Sequence, residues 1–180
     1  MNRALTVAQV ATLLQATVPI LKAELAALPE PVMFFCPAVG EWSVNEVIGH
    51  LIETEARGFA GRIQRILMQP GYVCAPWDPD QVARDRRDNE KSAAALFAQF
   101  TTCRAESVVL LQTLTAEQLV RTAEHPVVGL LSINDLLHEW VFHDRNHVKQ
   151  IMSNLQAWVW PTMGNTQRFT TRANRSDREF

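Results

Sequence analysis

Four long stretches of this sequence carry apolar residues at helical spacing, and no stretch alternates in a way that competes as a strand. That periodicity points to an all-α architecture, because an amphipathic helix must bury its apolar stripe against other helices. The first stretch opens with Thr6 and Gln9 in capping-box spacing and continues through Val7, Val10, Leu13, Leu14, Ile20, Leu21, Leu25 and Leu28. Pro19 lies inside it and predicts a kink or a break. Pro29, Pro31 and Pro37 mark a loop. The second stretch starts at Ser43, with Glu46 three residues on, and runs to about Met68. Gly49, Gly58 and Gly61 lie within it, each costing up to about 1 kcal/mol of helix propensity. That cost makes sense where another helix or a ligand comes close to the backbone.

The connection from Gln69 to Asp80, with Pro70, Gly71, Pro76 and Pro79, is longer than an antiparallel helix hairpin needs and predicts a crossover along a bundle. The third helix is expected from about Pro79 to Leu114, charged in its first half and apolar in its second. Thr115 and Gln118 begin a short turn, and His125, Pro126 and Gly129 mark a loop. The fourth helix opens with Ser132 and Asp135, runs to about Trp160 and is ended by Pro161. The expectation is one four-helix bundle over residues 1–160 with a long crossover between helices two and three. A polar tail over 161–180 follows, carrying Arg168, Arg172, Arg175 and Arg178.

A chain of 180 residues is long enough to bury a core of its own. Its formal net charge of −2 argues against a generally basic surface and so against nucleic acid as a partner. No stretch reads as the roughly 20 apolar residues of a membrane span, and Met1–Val10 does not read as a signal peptide. Cys36, Cys74 and Cys103 are too dispersed for a disulfide framework or a Cys-x-x-Cys pair, so buried free thiols and a cytoplasmic location are expected.

His143 and His147 are four residues apart on the fourth helix, so both rings leave one face and can chelate one ion. Trp140 and Ile151 share their stripe, which places the pair on or beside the core, where two polar rings need partners. The alternative is a pair of core histidines bonded to carbonyls or carboxylates. His50 is the third candidate ligand. It lies seven residues inside the second helix, as His143 lies eleven inside the fourth, and these levels meet if the two helices are neighbours. Three neutral imidazoles with open positions suit Zn²⁺, Ni²⁺ or Fe²⁺, with water completing the site. Asp144 is read either as orienting a ligand ring or as a rim carboxylate paired with an arginine, and Glu53 as a base, an outer partner or a solvated group. His138 is read as surface or rim, His125 as structural or rim. Arg84, Arg86 and Arg87 are candidates for a substrate carboxylate, or simply solvated charges.

The string WSVNEVIGHLIETE, Trp42 to Glu55, resembles the second-helix motif of the DinB-like superfamily, and HDRNHVKQI, His143 to Ile151, resembles its fourth-helix motif. Between them PWDPDQVARD, Arg104 and LLSINDLLHEWVFHD follow the same order, so the resemblance spans about Leu5 to Trp158. It implies a bundle with a long second connection and a divalent metal held by His50, His143 and His147. It also implies a homodimer, and chemistry like that of the bacillithiol- and mycothiol-dependent transferases of that superfamily. The function expected is therefore a metal-dependent enzyme, thiol transferase-like or hydrolase-like, acting on a small-molecule substrate with or without a low-molecular-weight thiol. The alternatives are a non-catalytic metal-binding or stress-response module, or a structural helical dimer.

Overall fold

A computed structural model describes residues 4–170. Helix α1 (Val7–Ala27) starts at a reciprocal cap in which the Gln9 amide donates to the Thr6 hydroxyl and the Thr6 amide donates to the Gln9 side chain. A short α2 (Glu30–Met33) precedes α3 (Val44–Glu53), which opens with the same reciprocal cap at Ser43 and Glu46. Six residues of π-helix, Thr54–Phe59, join α3 directly to α4 (Ala60–Met68). The crossover follows, and then α5 (Pro79–Arg86), α6 (Ala93–Gln112) and the single turn α7 (Ala116–Leu119). Strands β1 (Thr122–His125) and β2 (Gly129–Ser132) pair antiparallel, with Thr122 opposite Ser132. Helix α8 (Ile133–Val159) starts at the Ser132–Asp135 cap. The bundle is made by α1, α3 with α4, α6 and α8: α1 packs on α6 and α8, and α3 packs on the same two.

Several expectations need correction. The third helix is two helices. Arg87 adopts a left-handed conformation (φ 49°), a 3₁₀ turn follows at Asp88–Glu90, and Ser92 caps a new helix by accepting from the Ala95 amide. Asp88 holds this break in place: it is buried and accepts from Arg86 at 2.7 Å and Lys91 at 2.9 Å. It also explains Gly49, since a Cβ there would occupy the space of the Asp88 carboxylate. The loop expected around His125 is a β-hairpin. It pins the crossover, because the Cys74 amide donates to the Glu124 carbonyl and the Glu124 amide to the Tyr72 carbonyl. Pro19 does not break α1, and it sits on the exposed side of the helix. Of the cysteines only Cys74 is buried, and Cys36 is exposed. Helix α1, by its 21-residue length and composition, is apolar enough for a membrane span, contrary to expectation. Here its buried residues Val10, Leu14 and Leu21 belong to the bundle core. Arg172, Arg175 and Arg178 lie outside the described residues.

The core consists of two apolar clusters with a buried polar layer between them. One cluster contains Leu14, Phe59, Val108 and Trp140; the other contains Leu21, Ile52, Phe100 and Val148. In each of the four long helices a polar residue interrupts the apolar run at that level: Thr17, Glu55, Arg104 with Ser107, and Asp144, all buried. Arg104 spends all five N–H donors: Nε and one terminal nitrogen on Glu55, both terminal nitrogens on Asp144, and one on the Leu14 carbonyl at 2.7 Å. Ser107 donates to Glu55, and Thr17 donates to Asp144 at 2.7 Å. Burial pulls the Arg104 pKa down, but the two carboxylates outweigh it and hold the guanidinium charged. Burial pushes the Glu55 carboxyl up, against the pull of Arg104. Removing one partner from such a cluster leaves uncompensated buried charge. Arg104→Ala is therefore expected to cost about 3–5 kcal/mol in urea unfolding at neutral pH; a loss below about 1 kcal/mol would show that the layer does not hold the helices together.

Candidate metal centre

His50 faces α8 from the last turn of α3, and His143 and His147 face it from successive turns of α8. The three rings come together, each offering a nitrogen within 4.8 Å of the others. His50 Nε2 lies 3.0 Å from His143 Nε2, and His147 Nε2 lies 3.2 Å from the same atom. Imidazole nitrogens bound at about 2.0–2.1 Å to a tetrahedral cation stand about 3.3 Å apart, so the spacing fits a shared ion. Hydrogen bonding alone does not satisfy the cluster. His143 Nε2 offers either one hydrogen or one lone pair, yet two nitrogens approach it.

Electrostatics keep these rings neutral, as ligands must be. Burial, then His147 and His143, lowers the His50 pKa to about 3. Burial, then His147, lowers that of His143 to about 4, against the pull of Asp144. Burial also lowers His147, opposed by its hydrogen bond to Gln150 and by Asp144. The Gln150 carbonyl, 2.8 Å from His147 Nδ1, accepts only if that nitrogen carries the proton, which leaves the Nε2 lone pair facing the cluster. His143 Nδ1 is buried without a hydrogen-bond partner. Aromatic rings wall the site: Trp42 lies 4.7 Å from the His50 ring, Trp77 stacks on His50 at 5.8 Å, and Phe59 meets His143 edge-on at 5.2 Å.

The remaining candidates are placed elsewhere. Asp144 is in the buried layer, bonded to Arg104 and Thr17, so its arginine partner is interior rather than at the rim. Both oxygens of Glu53 accept from guanidiniums, Arg86 at 2.6 Å and Arg57 at 2.5 Å. Arg86 is itself spent on Glu53 and Asp88, while Arg84 and Arg87 are exposed. His138 is half-buried and accepts from the Leu5 amide at 2.9 Å, tying the start of α1 to α8. His125 lies 3.4 Å from an Arg62 nitrogen. Sequence reasoning missed the roles of Gln150 and the Arg104 layer. For the layer a signal existed: Glu55, Arg104 and Asp144 occupy apolar phases of their helices.

Because the folded rings resist protonation, the unfolded chain takes up protons first as pH falls below about 6.5. Metal-free protein should therefore lose stability between pH 6.5 and 5, by on the order of 2 kcal/mol. A variant with His50, His143 and His147 all replaced by Gln should lose less over that interval in thermal melts. Equal losses in the two proteins would contradict the placement of the rings.

Known proteins resemble this chain in sequence and in fold. Residues 6–151 match the family described as the DinB superfamily. Two curated relatives, from Bacillus cereus (strain 03BB102) and Bacillus thuringiensis subsp. konkukian (strain 97-27), are provisionally named metal-dependent hydrolases. Each is 22% identical over 122 residues, covering 68% of this chain and 69% of its own. The structure of YfiT from Bacillus subtilis, described as a probable metal-dependent hydrolase with an unusual four-helix bundle topology, superposes with a TM-score of 0.76. It shares 18% identity and covers 87% of this chain and 91% of its own. With the match extending over most of its length, from the α1 cap to the end of the histidine stripe, the chain belongs to the DinB superfamily.

Proposed function

We propose that this protein is a metal-dependent hydrolase in which His50, His143 and His147 hold one divalent cation, zinc, nickel or iron, for use on a small-molecule substrate. The observation that carries this reading is the convergence of three neutral imidazole nitrogens on one point. Such a cation, when bound, supplies Lewis acidity, lowering the pKa of water toward neutrality. The chain's own residues do the rest. Gln150 holds the His147 tautomer, and Trp42, Trp77 and Phe59 restrict bulk water around the rings. Asp144 lies beneath and favours positive charge at His143 and His147. Glu53, with both oxygens engaged, supports Arg86 and Arg57.

The hydrolytic reading is preferred to thiol transfer because both curated relatives carry a hydrolase name. A cytoplasmic homodimer remains part of the proposal. Free, dispersed cysteines suit a reducing compartment. Val18 and Pro19 of α1, with Val109 of α6, line an apolar groove that a second copy would cover.

The test is elemental analysis of protein purified without a polyhistidine tag or nickel column. Wild type should carry about one equivalent of metal and His147→Ala little or none, with added zinc raising the melting temperature of wild type only. Wild type that takes up neither zinc nor nickel would reduce the trio to core histidines.

A further inference from the structure

A second cleft shares a wall with the histidine cluster. It has a volume of about 210 Å³ and is lined by Arg57, Arg62 and Arg65 together with Tyr72, Pro76 and Trp77. Trp77 is the ring that stacks on His50. Three guanidiniums on one wall repel one another, and here little compensates them. Arg57 shares Glu53 with Arg86. Arg62 faces the His125 ring, with Nε2 at 3.4 Å, and Arg65 lies over the Tyr72 ring with its guanidinium carbon 6.0 Å from the centroid. Among the described residues neither Arg62 nor Arg65 forms an ion pair with a carboxylate.

The π-helical segment makes this alignment. In a regular α-helix, residues five apart point in different directions. A π turn closes hydrogen bonds from residue i to i+5, as the Ala60 amide does to the Glu55 carbonyl, and so adds one residue to a turn. Arg57 and Arg62 then stand as residues four apart would, and Arg65 follows one turn later on the same stripe. Gly61 permits the turn, since a Cβ there would run into the Ala56 carbonyl oxygen.

We propose that the Arg57–Arg62–Arg65 cleft binds the anionic group, carboxylate or phosphate, of the small molecule that reacts at the histidine cluster. This inference rests on the metal-centre reading and adds a substrate class to it. A guanidinium fork matches the paired oxygens of either anion. A ligand anchored there would pass Trp77 to reach His50. The arginines singled out from the sequence, Arg84, Arg86 and Arg87, are not those of the cleft.

The test titrates zinc-supplemented protein with sodium succinate and, separately, sodium phosphate at constant ionic strength, following the indole N–H resonance of Trp77. Wild type should show a saturable shift. Arg62→Gln/Arg65→Gln should bind at least tenfold more weakly with unchanged metal content and melting temperature, and Arg62→Lys/Arg65→Lys should recover part of the affinity. His147→Ala should lose metal but keep the shift. The stronger of the two anions identifies the group recognised. Equal binding by wild type and the double Gln variant, or a shift abolished by His147→Ala, would overturn the proposal by placing the anion elsewhere or on the metal. Metal content reports on the metal centre and the indole shift on the cleft, so the two readings fail separately.

Discussion

Arg104, charged and without access to water, is held between Glu55 and Asp144, and the arrangement of the four helices depends on that contact. A buried guanidinium is tolerable only when every donor is met, and meeting all five requires α1, the π-helical segment, α6 and α8 at fixed heights. Apolar contacts on either side are non-directional. The polar layer cannot slide without stranding charge, so it sets the register of the bundle.

That register is what brings three separated histidines together. His143 precedes Asp144 by one residue, and His50 lies five before Glu55. Fixing Asp144 and Glu55 on opposite sides of Arg104 therefore fixes the heights of the rings as well. Burial does the electrostatic work, holding the imidazoles neutral, and Gln150 selects the tautomer of His147.

The π-helical turn changes the helical phase between α3 and α4. Before it, His50 faces α8; after it, Arg62 and Arg65 come into line with Arg57 beside Trp77. One inserted residue per turn thus lets one continuous helix serve two adjoining surfaces with different chemistry.

The sequence by itself determined whatever rests on interactions within a few residues. The caps at Thr6, Ser43 and Ser132 pair side chains with amides three positions away, and they set three helix starts wherever the helices pack. The periodicity of the apolar residues determined the all-α class, and the four-residue spacing of His143 and His147 determined that they share a face. Tertiary structure decided what depends on distant partners. The break at Arg87 exists because buried Asp88 is anchored beside Gly49, and four-residue strands are too short to be told apart from loop by pattern. An arginine partner was one of two readings of Asp144, and its burial depends on Arg104, 40 residues earlier. The meeting of His50 with the α8 pair likewise spans 93 residues of chain. Local spacing can orient a side chain, but only packing sets the distance between helices, and a metal centre depends on that distance.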